Sequence, residues 1–277
     1  MTDRARFLGR PCDPTRLFVI AGPCVIESET MTIDVASRLK EICARLSIDL
    51  VFKSSYRKDN RTAAGSFTGP DLEDGMRILA RVAAEIGVPV TTDVHCRLEV
   101  APAAAVASVL QIPAFLCRQT RLLQEAARTG RVVNVKKGQF LAPGDLERVL
   151  EKLEAVRPGG EFWLTERGAS FGYRDLIVDM RTIASMRELP CTVVFDVTHS
   201  LQKPGVGGDR RYARPLARAA IASGADGLFF ETHPEPARAL SDPSTQLPLS
   251  EIDDFLEEMV EWKRLQATQV ERGRILR

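Results

Sequence analysis

The sequence predicts an α/β chain of the (β/α)8 TIM-barrel class. Short apolar runs rich in β-branched residues alternate with amphipathic stretches of helical period, and eight such pairs occur along the chain. The runs are almost continuously apolar, as strands covered on both faces of a parallel sheet are. Each run ends in polar residues, and eight units in about 250 residues suit a closed barrel. An open doubly wound sheet carries the same alternation and stands as the alternative.

The first strand is expected at 17–22, followed by a helix at 31–46 with Ile33, Val35, Leu39, Ile42 and Leu46 on its apolar face. The second strand (50–53) leads to a helix at 71–86, with Asp71 and Asp74 suited to its start. Strand 88–92 precedes helix 97–105, and strand 106–111 precedes helix 118–128, which Gly130 stops. In the second half, strand 132–136 leads to a helix after Pro143 and Gly144 that runs to about 156. Strand 162–165 is followed by a helix at 176–189, strand 191–195 by one at 210–223, and strand 227–230 by a last helix at 250–269. One domain over 1–277 is expected, with 1–16 as an N-terminal extension.

Composition narrows the function. With 38 Lys and Arg against 37 Asp and Glu, the net charge is +1, and there is no basic block for nucleic acid or an anionic membrane. No apolar run has the length of a signal peptide or a membrane span. The six cysteines are scattered, which fits reduced thiols and a cytoplasmic address.

Active sites of barrels lie at the carboxyl ends of their strands. Lys53, Lys58, Arg61, Lys136 and Arg167 follow three of the strands. They suit either an anionic ligand with phosphate or carboxylate groups, or ordinary surface pairs. Cys24, His199 and Glu231 follow the first, seventh and eighth strands, which are neighbours in a closed barrel, and Asp242 lies 11 residues after Glu231. Sulfur, imidazole and carboxylates can ligate Zn(II), Fe(II) or Mn(II); taken singly, Cys24 also suits core packing and Asp242 a turn. His95 and His233 are rival ligands. The glycines at 205–208 match no Walker loop and mark a flexible loop.

In order along the chain stand Ile20-Ala-Gly-Pro-Cys-Val-Ile-Glu-Ser28, Lys58-Asp-Asn-Arg-Thr62, Thr92-Asp-Val-His95, Leu110-Gln-Ile-Pro-Ala-Phe115 and Asn134-Val-Lys-Lys137. Arg167-Gly-Ala-Ser-Phe-Gly-Tyr173, Phe195-Asp-Val-Thr-His-Ser200, Glu231-Thr-His-Pro-Glu-Pro236 and Ser241-Asp-Pro-Ser-Thr-Gln-Leu-Pro-Leu249 follow. This ordered set resembles the 3-deoxy-D-manno-octulosonate 8-phosphate (Kdo 8-phosphate) synthase family over almost the whole length. The resemblance implies condensation of phosphoenolpyruvate with D-arabinose 5-phosphate and water, giving Kdo 8-phosphate and phosphate for lipopolysaccharide. It implies that Lys136 and Arg167 clamp the phosphoenolpyruvate phosphate, and that Lys53, Ser55 and Lys58 take its carboxylate side. Gln111 and Ala114 would line the pocket. Asn60 would select the five-carbon sugar, with Arg61 and Thr62 reaching its phosphate across a subunit boundary of a homotetramer.

Cys24, where the metal-independent branch has Asn, implies the metal-dependent branch, with His199, Glu231 and Asp242 as the other ligands of a divalent ion (Zn, Fe, Mn or Co). Acid-base help is expected from water and from His199, His95 or Asp196. Two departures stand out: Asp59 replaces a small residue, and the stretch 202–211 is shorter than in many relatives. The alternatives are 3-deoxy-D-arabino-heptulosonate 7-phosphate synthase, whose relatives typically read Lys-Pro-Arg-Thr after the second strand, a Schiff-base aldolase using Lys53 or Lys136, and a non-catalytic sugar-phosphate-binding barrel.

Overall fold

The computed structural model describes residues 5–61 and 63–272. Eight parallel strands form the barrel: β1 (Phe18–Gly22), β2 (Asp49–Lys53), β3 (Val90–Asp93), β4 (Val109–Ile112), β5 (Val132–Lys136), β6 (Phe162–Glu166), β7 (Thr192–Asp196) and β8 (Gly227–His233). Each pairs with the next, and β8 pairs with both β7 and β1, placing Gly227 opposite Val194 on one side and Phe18 on the other. That second pairing closes the sheet and removes its edges, so the open doubly wound alternative falls.

The helices α1 (Glu29–Leu46), α2 (Leu72–Arg81), α3 (Arg97–Val106), α4 (Thr120–Arg128), α5 (Asp145–Glu154), α6 (Arg181–Met186), α7 (Ala213–Ala222) and α8 (Ile252–Glu271) follow the strands in turn. Their apolar faces meet the outward strand residues in one core that includes Val19, Leu39, Leu79, Leu123 and Leu164. Ser28 caps α1 by accepting the Met31 N–H, and Asp71 caps α2 by accepting the Asp74 N–H, each satisfying a donor the first helical turn leaves free.

Several expected boundaries move. The chain at 176–189 is helical only over α6, because Asp175–Ile177 pairs with Ala169–Phe171 as a hairpin. Gly168 and Gly172 adopt the positive φ values that this hairpin needs, and the Asp179 carboxylate then starts the helix by accepting the Arg181 N–H at 3.0 Å. The fourth strand begins at Val109, since Val106 still belongs to α3.

The described part of the N-terminal extension is a small hairpin, Arg6–Phe7 against Arg10–Pro11, seated under the amino ends of the strands. Phe7 lies 5.1 Å from Phe18 and 5.8 Å from Trp163, ring centre to ring centre. It joins the inner core of Ile20, Val51, Val109, Val132, Val194 and Phe229. Glu161 accepts the Leu8 and Gly9 N–H groups at 2.8 and 2.7 Å and the Trp163 indole N–H at 3.0 Å. Phe7→Ala should cost about 3 kcal/mol of stability and leave kcat intact, because this plug lies at the end of the barrel away from the strand carboxyl ends. An unchanged denaturation midpoint would show that the hairpin does not seal the barrel.

Candidate active site

The seam between β8 and β1 builds the first part of the site. Glu231 stands opposite Gly22. A Cβ on Gly22 would lie 2.0 Å from the Lys53 carbonyl oxygen, so only glycine lets β1 and β2 approach so closely. Just beyond, Cys24 Sγ is 3.0 Å from Ser241 Oγ and 3.3 Å from Asp242 Oδ2. Ligand atoms of Cys24, Glu231 and Asp242 all lie within 4.8 Å of one another. His199 Nε2 is 3.9 Å from Glu231 Oε1, while its Nδ1 sits 2.8 Å from Asp196 Oδ2, a contact that orients the ring and leaves Nε2 as the outward nitrogen. Three of the four residues singled out from the sequence thus form one cluster, and His199 stands outside it, beside Glu231.

Glu231 Oε1 accepts from Lys53 Nζ at 2.7 Å, whereas Glu231 Oε2 is buried without a partner among the described residues. A buried carboxylate oxygen left bare is costly. Together with a thiol and a second carboxylate it fits a divalent cation of the zinc, iron or manganese kind. Burial pushes the Cys24 thiol well up, and Glu231 and Asp242 add to that. Burial also opposes the charge on Glu231, but Lys53, His199 and Lys58 hold its carboxyl well below the usual range.

The second part is cationic. Lys53, Lys136 and Arg167 are 0%, 5% and 4% exposed, so they are not ordinary surface charges. Lys136 Nζ lies 2.6 Å from Asp196 Oδ2 and 3.0 Å from the centre of the Phe229 ring. Burial brings its pKa down to about 8 against the pull of Asp196. Arg167 Nη2 donates to Gln202 Oε1 at 2.6 Å, and its Nη1 is buried without a partner among the described residues. Lys58 Nζ stands 3.7 Å from Glu231 Oε1 and 4.0 Å from Asp93 Oδ2.

A hydrogen-bonded belt crosses the barrel beneath these groups. Ser55 Oγ donates to Asp93 Oδ2, and Gln111 Nε2 donates to Asp93 Oδ1 at 2.6 Å. Asn134 Nδ2 donates to Gln111 Oε1 at 3.1 Å, and Thr165 Oγ1 to Asn134 Oδ1 at 2.6 Å. Ala114 is half-buried in the turn after β4. Asn60 and Asp59 are exposed, Asp59 paired with Arg57 at 2.6 Å. Arg61 donates to the carbonyls of Phe67 and Leu240 at 2.9 and 3.2 Å; Thr62 lies outside the described residues.

The rival histidines sit apart from the thiol and carboxylates. His95 Nδ1 is 3.1 Å from Glu99 Oε2, and His233 Nδ1 accepts the Glu235 N–H at 3.0 Å. The glycines at 205–208 form part of a tight hairpin, Gln202–Lys203 against Gly207–Gly208. Sequence reasoning missed Ser241, Gln246, Gln202 and Thr165. Gln246 Oε1 accepts the Cys24 N–H at 3.2 Å and its Nε2 donates to the Ser241 carbonyl at 2.8 Å, which holds the Asp242 turn at its left-handed φ of 48°. Its only signal in the sequence is its place, four residues after Asp242.

The model of the DAHP synthetase I family matches residues 11–268. The chain is 52% identical over 258 residues to the 2-dehydro-3-deoxyphosphooctonate aldolase of Polaromonas naphthalenivorans, covering 90% of each. It is 52% identical over 253 residues to the protein of that name from Paraburkholderia xenovorans, covering 88% of this chain and 89% of the relative. The 2-dehydro-3-deoxyphosphooctonate aldolase 1 of Burkholderia pseudomallei is 53% identical over 253 residues, with the same coverage of 88% and 89%. With a family model spanning the whole barrel and relatives this similar over nine-tenths of their length, the chain belongs to the DAHP synthetase I family.

Proposed function

We propose that this chain is a 3-deoxy-8-phosphooctulonate synthase, condensing phosphoenolpyruvate with D-arabinose 5-phosphate and water to Kdo 8-phosphate and phosphate. The observation that carries the reading is the agreement between relatives named for the octonate product and a barrel mouth whose buried cations face a thiol and carboxylates. The heptulosonate alternative is less supported, because these relatives carry the octonate name. A Schiff-base role does not suit Lys53, whose Nζ is tied to both Glu231 Oε1 and the Cys24 carbonyl; Lys136, held by Asp196, is assigned to the phosphate.

In this chemistry C3 of the enolpyruvate attacks the sugar aldehyde, C2 takes the water, and the C2–O bond to phosphate breaks with its electron pair leaving on the phosphate. Charge therefore gathers on the phosphate, beside Lys136 Nζ and Arg167 Nη1, where buried positive charge stabilises it. Lys58 and Ser55 take the carboxylate end, and holding both anionic substrates at one mouth supplies the proximity that solution lacks. Asp196 keeps Lys136 in place and fixes the His199 ring. A divalent cation held by Cys24, His199, Glu231 and Asp242 would polarise the sugar aldehyde and orient its hydroxyls.

The reading includes a homotetramer, in which Phe115, Phe140 and Phe171 on loops beside the mouth, each more than half exposed, would find cover. A cytoplasmic setting agrees with six scattered cysteines that form no disulfide among the described residues. No helix among the described residues is long and apolar enough to cross a membrane.

With phosphoenolpyruvate present, arabinose 5-phosphate should release phosphate faster than erythrose 4-phosphate by more than about tenfold in kcat/KM; equal or reversed preference in that assay sinks the assignment.

Chelation should abolish turnover, with Mn(II), Fe(II), Co(II) or Zn(II) restoring it to differing extents. Cys24→Ala should be folded, metal-poor and inactive, and Cys24→Asn should keep some chelator-insensitive turnover. A wild-type enzyme running at full rate with its metal removed contradicts the cation's part.

The pH profile tests the clamp. Lys136 faces Asp196, Lys53 and Glu231, and as pH rises through about 8 it loses its proton and with it the charge that attracts phosphate. From that pH upward, kcat/KM for phosphoenolpyruvate should fall about tenfold per pH unit. Lys136→Arg, which stays charged throughout, should lose that alkaline limb whatever its absolute rate. If the limb persists in the variant, another group is responsible.

A further inference from the structure

Loops following β6, β7 and β8 meet at one side chain. Gln202 begins the short hairpin after β7. Its Oε1 accepts from Arg167 Nη2 at 2.6 Å, and its Nε2 donates to Asp242 Oδ1 at 2.9 Å. A guanidinium only donates and a carboxylate only accepts, so a single amide orientation serves both ends. The hairpin is seated on the loop that carries Asp242. Arg210 Nη1 donates to the Gln246 carbonyl at 3.0 Å, and a Cβ on Gly208 would stand 2.2 Å from Thr245 Cγ2. Beyond each end of the bridge lies a buried atom with no partner among the described residues: Arg167 Nη1 on one side and Glu231 Oε2 on the other. The second oxygen of Asp242 is turned to Cys24, 3.3 Å from its sulfur.

We infer that Gln202 is a positioning residue that couples phosphoenolpyruvate binding at Arg167 to divalent-cation binding at Cys24, Glu231 and Asp242. The inference rests on the site reading above and adds a dependence between its two halves. A phosphate oxygen taking Nη1 fixes the plane of the guanidinium. Nη2 is then fixed, which holds the amide, and the amide holds Asp242 in its left-handed turn with Oδ2 toward the cation. Occupation of one half thus lowers the ordering cost of the other, and the coupling is reciprocal by linkage.

The test is calorimetric titration of Mn(II) into the metal-free, full-length protein, alone and with saturating phosphoenolpyruvate, after subtracting binding of the ion to the ligand in solution. Phosphoenolpyruvate should tighten Mn(II) binding by about fivefold or more, while pyruvate, which lacks the phosphate, should not. Gln202→Ala should still bind both ligands, with the tightening reduced to near unity. Gln202→Met, which keeps the side chain's length and packing, should behave the same way and guards against a collapsed hairpin. Tightening retained in both variants overturns the inference, as does a wild-type protein that binds both ligands independently; either result leaves the site reading standing. A wild-type protein that binds Mn(II) or phosphoenolpyruvate not at all overturns the site reading and the inference together.

Discussion

The site depends on the pairing of the last barrel strand with the first. Parallel pairing of β8 with β1 puts Glu231 beside Gly22, and that register brings residues from opposite ends of the chain to one point. Glu231, Cys24 and Asp242 gather at this seam. The neighbouring β2 contributes Lys53, whose Nζ reaches both Glu231 Oε1 at 2.7 Å and the Cys24 carbonyl at 2.9 Å. A one-residue slip would turn Glu231 out of the barrel and break the set. Closure is thus both what buries the sheet edges and what assembles the donor group.

The mouth is built from groups that a barrel optimised for stability alone would avoid. Lys53, Lys136, Arg167, Asp93, Asp196 and Glu231 are all buried, and each must recover by pairing what it loses in leaving water. The pairs Lys53–Glu231 and Lys136–Asp196 do this at 2.7 and 2.6 Å. Among the described residues the recovery is incomplete at Arg167 Nη1 and Glu231 Oε2, and those atoms sit where the proposed phosphate and cation would go. The opposite end of the barrel supplies compensating stability, with Phe7, Phe18 and Trp163 packed together under the inner core.

Strand and helix alternation was legible because strands buried on both faces need unbroken apolar runs, and all eight were placed to within a few residues. The chain at 176–189 misled, because Leu176, Ile183 and Leu189 suit a helical face while the positive-φ glycines before them commit residues 175–177 to a hairpin. Cys24, His199, Glu231 and Asp242 were legible as ligand types at neighbouring strand ends. Gln202, Ser241 and Gln246 were not, since a neutral polar residue in a loop carries no sign of which partner it holds. The buried state of Lys53, Lys136 and Arg167 likewise needs the closed barrel to be seen. From sequence alone those cations were as compatible with solvated surface pairs as with an anion site.

Absorption spectroscopy of the metal-free protein titrated with Co(II) tests most directly that the β8–β1 seam is a cation site with a sulfur ligand. The account predicts a sulfur-to-cobalt charge-transfer band in the near ultraviolet that rises with each addition until the site is full, and its loss in Cys24→Ala. Tight cobalt binding by the wild-type protein without that band would place the ion elsewhere and contradict the account.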